Sequence, residues 1–256
     1  MIRHRTVTKD TSDVKDVTTT PAEKQHLSEI QSLIQDSMRE TFAFNVKYSV
    51  KTAHFQILAA ILSYILVTLV FNLLKISLRW HIVVPLTIGF FFVFSSLWCF
   101  IGDLFPVSSS AKYMENLNSW ENFSKEYNNN PAHFWVAVTS ENEVVGTIAV
   151  TIPVDDRFDS PDVMKMCSNP LQLHHMTVKR NFRGQEIGYT LLQHVMKFAK
   201  EQSFKENSVD GLVLATGYPV AVKFYEKNGF KHAEKCSCYY IGGLLKVTVF
   251  TMAYTF

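Results

Sequence analysis

The chain has 256 residues and a formal net charge of +2, with 25 Lys and Arg against 23 Asp and Glu. That length holds one domain of ordinary size plus further elements, and the near-neutral balance argues against a nucleic-acid partner, which needs a concentrated basic face. The hydrophobic content of 47% is unevenly placed: the N-terminal segment is polar and the next stretch is nearly all apolar.

Met1–Thr20 is polar and rich in Thr and Asp, and is expected to be a loose tail. A short strand around Arg5–Thr8 is the alternative. Met1–Gln25 is charged and lacks the apolar core of a signal peptide, so membrane targeting must come from inside the chain. Pro21–Thr41 reads as an amphipathic helix. Proline suits a first helical turn, and Leu27, Ile30, Ile34 and Met38 recur at spacings of three and four. Such a helix packs on a domain or lies on a membrane surface.

Phe55–Leu74 carries no formal charge. At about 1.5 Å per residue it reaches roughly 30 Å, one bilayer core. Lys75–His81 is a short basic and aromatic connection. Ile82–Gly102 is a second run without Lys, Arg, Asp or Glu, with Pro85 near its start. Trp80 and Trp98 sit near the ends of these runs, where interfacial aromatics belong. The pattern predicts a transmembrane helical hairpin and hence a lipid-bilayer partner. One long tilted span, or a hairpin that dips in without crossing, stays open. Arg39, Lys47, Lys51 and Lys112 flank the hairpin on one side, against Lys75 and Arg79 in the connection. That bias places both soluble parts in the cytosol. Asn122-Phe-Ser124 is an N-glycosylation acceptor that reports on this orientation.

Asp103–Asn130 returns to polar sequence, with a helix expected over Tyr113–Tyr127 and stopped by Asn128-Asn-Asn-Pro131. From Ala132 the texture changes to strands and turns. Phe134–Thr139 and Val144–Ile152 form a hairpin across Ser140–Glu143. Pro153–Asn169 is an acidic loop. Leu171–Val178 is a strand, and Ile187, Leu191, Val195 and Phe198 start a helix. Leu212–Thr216 is a short buried strand. Pro219–Lys227 is a helix capped by Asn228-Gly229. Lys231–Phe256 holds two strands around Gly242-Gly243. Antiparallel strands, one crossover helix and more strands give a mixed α/β sheet. The division expected is a polar N-terminal segment (1–54), a membrane hairpin (55–102), a connector (103–131) and a catalytic domain (132–256).

The turn between Val178 and Ile187 carries the chemistry. A strand that passes through a glycine-containing turn into a helix leaves backbone N–H groups without partners, at the positive end of the helix dipole. Arg183 adds a bidentate donor suited to phosphate. Four cysteines, Cys99, Cys167, Cys236 and Cys238, complete no zinc pattern. They read as free thiols in a reducing compartment, and no metal site is expected. Cys236 and Cys238, two apart on a strand, face one side.

Arg183-Gly-Gln-Glu-Ile-Gly188 resembles the R/Q-x-x-G-x-G/A loop of the GNAT acetyltransferase superfamily. Joined to Phe134-Trp-Val-Ala137, Val144-Val-Gly146, Pro153-Val-Asp-Asp156 and Phe224-Tyr-Glu-Lys-Asn-Gly-Phe230, it resembles the camello-type membrane N-acetyltransferases. These are the N-acetyltransferase-eight family, which includes cysteine S-conjugate N-acetyltransferase. The likeness covers about Ala132–Phe256 and implies a GNAT fold, acetyl-CoA as co-substrate and an endoplasmic reticulum membrane. It implies that Arg183, Gly184, Gln185, Glu186, Ile187, Gly188 and Tyr189 hold the pyrophosphate, and that Met176, Thr177 and Val178 meet the pantetheine arm. Glu186 departs from the pattern, which has Gly at that position.

The resemblance gives Tyr225 the role of proton donor to the leaving thiolate, and a phenol pKa of about 10 suits it. For the base, His175 matches a camello histidine, and His174 falls where many GNAT enzymes carry glutamate. A histidine accepts a proton near neutral pH. The two are expected on opposite faces of one strand, so that only one looks into the site. Asp155 and Asp156 match the family's acidic pair and are assigned to the substrate. The function expected is transfer of an acetyl group from acetyl-CoA to an amine, on a small molecule such as a cysteine S-conjugate or on a protein lysine. The alternative, fed by Glu186, is a membrane-anchored module that binds acyl-CoA or a protein partner with little or no turnover.

Overall fold

The computed structural model describes residues 16–75, 79–104, 117–127, 129, 131–153, 156–203, 208–240 and 245–256. The strand considered at Arg5–Thr8, Lys112, Asp155 and the Gly242-Gly243 turn lie outside them. The chain divides into two compact units. One comprises Met1–Ile34, Asn116–Ile152 and Leu171–Val209; the other comprises Gln35–Glu115, Pro153–Pro170 and Asp210–Phe256.

The first unit is built on four antiparallel strands in sequence order: β1 (Val17–Pro21), β2 (His133–Thr139), β3 (Val144–Thr151) and β4 (Pro170–Val178). β1 corrects the reading of Met1–Thr20 as a tail at its end, Val17–Thr20; residues 1–15 lie outside the described residues. Val17-Thr-Thr-Thr20 is β-branched throughout, a composition that fits a pleated surface, and it pairs with β2 from Val17↔Thr139 to Pro21↔Trp135. Pro21 therefore ends a strand rather than opening a helix, and an edge strand tolerates it. After one 3-10 turn at Lys24–His26, helix α1 runs over Leu27–Ser49, beyond the expected end at Thr41. Its Glu29 accepts from the Val144 N–H at 2.8 Å and so terminates the start of β3.

Helix α4 begins at Trp120, later than expected within the described residues, and ends at Tyr127. Ser119 caps it, accepting from the Asn122 N–H at 3.2 Å. The crossover helix α6 (Ile187–Ser203) packs on β1, β2 and β3 through Ile187, Leu191 and Val195, all buried. Gly146 makes room for it: a Cβ there would lie 2.9 Å from Leu191 Cδ1.

In the second unit, α2 (Ala53–Leu73) and α3 (Trp80–Leu104) pack together as a hairpin. Phe55 meets Phe94 and Trp98 at one end, while Val67 and Phe71 meet Val83 at the other. Both helices are long and apolar enough to cross a membrane, and only 22% and 11% of their apolar windows is buried. A sheet in the order β5-β7-β6 follows, from β5 (Gly211–Thr216), β6 (Lys231–Tyr240) and β7 (Leu245–Thr255), antiparallel throughout. The 3-10 turn at Asp156–Asp159, a short helix α5 (Pro161–Met164) and the loop after it pack Phe158, Val163 and Cys167 against Val213 and Ala253. Asp210 fixes that loop by accepting from the Ser168 N–H at 2.6 Å and the Asn169 N–H at 3.1 Å.

Helix α7 (Pro219–Lys227) ends as the Asn-Gly pair predicts. Gly229 takes φ +89°, the Phe230 N–H reaches the Tyr225 carbonyl and the Gly229 N–H reaches Glu226. This is the Schellman arrangement, and its usual apolar contact is here the Tyr225–Phe230 ring pair at 5.3 Å.

Candidate active site

β4 is not a regular strand. Thr147 on β3 faces Thr177, but Ala149 faces His174. Two steps on β3 thus match three on β4, which is a bulge with one extra residue on β4. His175 absorbs it with φ +50°, a left-handed conformation uncommon outside glycine. The buried Thr147 hydroxyl holds the bulge by donating to the His175 carbonyl at 2.7 Å.

The bulge overturns the strand-alternation reading of the two histidines. Their rings meet at 4.5 Å between centroids, and Tyr127 contacts both, at 5.8 and 6.2 Å. Phe134 lies 5.9 Å from His175. Alternation assumes two residues per pleat, and the extra residue breaks that count. His174 Nε2 is shielded from solvent and has no hydrogen-bond partner among the described residues. Burial lowers its pKa to about 4, and burial followed by the His174 charge holds His175 well below the ordinary value. Both rings are therefore neutral at pH 7. A neutral ring can accept a proton, but one so hard to charge is a weaker base than an untuned histidine.

Sequence alone does not single out Tyr127, Thr147 and Phe134 as site residues. Tyr127 read only as a helix terminus, and Phe134 only as part of a strand motif. A cleft of about 330 Å³ shares Tyr127 and Phe134 with the histidines and is otherwise lined by residues such as Trp135, His194, Lys197 and Phe198.

Beyond β4 the chain turns once over Arg180–Phe182 and enters α6 through Gly184-Gln-Glu186. Gly184 has φ +79° and Glu186 φ +60°. A Cβ on Gly184 would meet nothing within 4 Å, so the turn faces open space. Glu186 thus adopts a left-handed backbone, as a glycine at that position readily would, although it carries a Cβ. Its carbonyl accepts the first bond of α6, from the Thr190 N–H at 2.9 Å. The N–H groups of the first turn of α6 have no acceptor within the helix. Arg183 is anchored: its Nε donates to the Val178 carbonyl at 2.9 Å. Lys179 pairs with Glu143. The turn is the kind of concavity that takes a phosphate, and its residues fit a CoA pyrophosphate.

These predicted residues, His174 to Tyr189, are brought together along one strand and turn. Tyr225 and Asp156 lie in the second unit. Tyr225 is 6% exposed, its ring held between Phe224 and Phe230. Asp156 is exposed at the start of a 3-10 turn. Among the described residues, no group of three or more His, Cys, Asp or Glu is placed to hold a metal.

Residues 130–232 match the family model for the acetyltransferase (GNAT) domain. This part of the chain is a GNAT domain. Members of that family use acetyl-CoA. Human N-acetyltransferase 8B is 37% identical over 98 residues, 38% of this chain and 38% of that protein. Rat N-acetyltransferase 8 is 27% identical over 211 residues, 80% of this chain and 86% of its own length. The first of these matches thus spans under half of the relative. A solved structure from Acinetobacter baylyi, assigned as an acetyltransferase, superposes with a TM-score of 0.52 at 12% identity, over 95% of this chain and 94% of its own. That likeness concerns the fold alone.

Proposed function

We propose that the chain is a membrane-bound N-acetyltransferase that moves an acetyl group from acetyl-CoA to an amine. The observation that carries the reading is the bulged β4 leading through a left-handed turn into the N-terminus of α6, within a GNAT domain. The acceptor is the α-amine of a cysteine S-conjugate or similar small molecule, or a lysine of a protein. Acetyl-CoA supplies the activated thioester. Gly184 to Tyr189 hold its pyrophosphate with backbone N–H groups, and Arg183 adds charge. Met176 to Val178 present the strand edge to the pantetheine arm. His174 or His175 takes the proton of the attacking amine, Tyr225 protonates the leaving thiolate, and Asp155 and Asp156 meet the acceptor. Residues 132–256 are the catalytic part, 55–102 the membrane hairpin, 103–131 the connector and 1–54 an N-terminal segment.

The test is Tyr225→Phe. The phenylalanine ring keeps the contacts to Phe224 and Phe230, so acetyl-CoA binding and stability stay close to wild type. Turnover falls about 10²- to 10⁴-fold, the usual worth of a positioned acid. Unchanged turnover with a panel of amines and labelled acetyl-CoA would remove Tyr225 from the mechanism. The second reading, a module that binds acyl-CoA without turnover, draws support from the low basicity of the two histidines. It predicts binding of acetyl-CoA and no product with any amine.

The organelle proposed is the endoplasmic reticulum, with the catalytic part in the cytosol, where acetyl-CoA needs no transporter. Asn122, exposed on α4, reports on this. In the cytosol it stays bare. A glycosidase-sensitive mobility shift that disappears in Asn122→Gln would place this part in the lumen.

A further inference from the structure

We propose that Cys238, with Cys236 beside it, is an S-acylation site for long-chain acyl groups at the membrane-facing end of the hairpin; the proposal rests on the membrane reading above. Three thiols have described surroundings. Cys167 is closed off: it is buried, its Sγ donates to the Tyr254 carbonyl at 3.6 Å, and burial pushes its pKa up to about 11. Cys236 and Cys238 are more open, although burial and the neighbouring Cys238 thiol push the Cys236 pKa up. Both are free and half-buried on β6, the outer strand of the β5-β7-β6 sheet. Two apart on a regular stretch of strand, they share one face, and their thiols are close enough to hydrogen-bond.

That face leads to the hairpin. Val247 stands directly opposite Cys238 on β7, and Val249 opposite Cys236. Residues so paired point the same way, with Cβ atoms about 5 Å apart. Val247 packs against the cluster of Val46, Phe55, Ala59 and Trp98. This cluster closes one end of the hairpin, because Phe55 opens the first apolar window and Trp98 ends the second. Trp98 Nε1 donates to Ser49 Oγ at 3.0 Å, so the ring presents an apolar body with its polar edge satisfied. An aromatic of this kind marks the boundary between hydrocarbon and headgroups. The thiol pair therefore stands one strand from the depth at which the hairpin leaves the bilayer. Thiols beside a membrane segment are where reversible acyl groups are attached.

The chemistry balances without a redox partner. The Cys238 sulfur gives up its proton and attacks the carbonyl carbon of a long-chain acyl-CoA. A carbon–sulfur bond forms to Cys238 as the bond to the CoA sulfur breaks, and CoA leaves as a thiol carrying that proton. One thioester replaces another. The attached chain enters the hydrocarbon beside the hairpin and holds the β6–β7 edge against the bilayer surface.

The experiment uses the full chain in eukaryotic cells fed an alkyne-bearing sixteen-carbon fatty acid, with hydroxylamine to identify thioesters. The expected result is a hydroxylamine-sensitive label that falls at least five-fold in Cys238→Ser and to background when Cys236→Ser is added. Cys238→Ala repeats the loss with a substitution that adds no polar group, and melting in detergent checks that the variants fold. Label that persists in the double variant overturns the proposal, since it lies on Cys99 or Cys167. Carbonate washing of the same membranes separates the two readings. Wild-type protein that is retained but unlabelled sinks the acylation site alone. Wild-type protein that is washed free sinks the membrane reading and this proposal with it.

Discussion

Between Lys179 and Tyr189 the backbone is left polar and open, whereas between Ala53 and Leu104 the two helices close the backbone on itself and present apolar side chains. In the turn, Gly184 and Glu186 take positive φ, and the first N–H groups of α6 lack intrahelical partners. In the hairpin several hydroxyls are folded back onto their own helix, although Ser95 Oγ has no partner among the described residues. Ser63 Oγ donates to the Ala59 carbonyl at 2.8 Å, Thr68 Oγ1 to Ile65 at 2.8 Å and Thr87 Oγ1 to Val83 at 2.9 Å. Ile65 is 54% exposed and Phe92 63%. A surface that offers donors suits an anion in water, and one that offers none suits hydrocarbon. Exposure alone distinguishes neither; the kind of group exposed does.

The strongest way to break the comparison is to put charge where the hairpin offers none. Ile65 and Phe92 lie near the middle of their apolar windows. An arginine at the centre of a span costs about 2.5–3.5 kcal/mol, so Ile65→Arg with Phe92→Arg is worth about 5–7 kcal/mol in all. The double variant is expected in the carbonate-soluble fraction, with Ile65→Leu still in the pellet. Equal retention of the arginine variant would mean that these faces do not meet lipid.

A smaller effect sharpens the other side of the comparison, the bulge that precedes the turn. The His174 pKa is lowered to about 4 by burial, from an ordinary 6.5. The unfolded chain then binds the extra proton between those values, so stability rises with pH across that window. It is complete above about pH 6.5 and lost as pH falls toward 4. At about 1.4 kcal/mol per pH unit, the loss reaches about 3 kcal/mol for this ring, and His175, lowered further, adds to it. Denaturation followed between pH 4 and 7 should show this slope in wild type and a shallower one in His174→Gln. Equal slopes would mean that the ring is not buried neutral.

Composition and periodicity carried the architecture where one signal dominated. The two apolar runs, the buried stripe Ile187, Leu191 and Val195, and the Asn228-Gly229 cap each rest on local chemistry that needs no tertiary context. β1 was missed because Pro21 signals a helix start as well as a strand end, and pairing with β2 decides between them. The bulge at His175 had no local signature. Histidine is only a weak signal of a positive φ, and the extra residue is visible only when β3 and β4 are laid side by side. For the same reason Tyr127, distant in sequence, could not be joined to the two histidines. Glu186 was legible as a departure, but its backbone conformation was not.

Glu186 is where the comparison can be tuned with the least disturbance. At φ +60° a residue with a Cβ carries about 1–2 kcal/mol of strain, and glycine relieves it while losing about 0.5–1 kcal/mol to chain entropy. Stability of Glu186→Gly should therefore stay within about 1 kcal/mol of wild type. Binding should change more visibly in relation to its size. A carboxylate close to a phosphate in water costs on the order of 1 kcal/mol, so its removal should tighten acetyl-CoA binding up to about ten-fold. Glu186→Gln separates the causes, because it keeps the Cβ and discards the charge. Equal tightening in both variants assigns the effect to charge; tightening in Gly alone assigns it to the backbone. Weaker binding in both would show that the carboxylate has been adapted to the turn, and that this site is not a plain cradle of N–H donors.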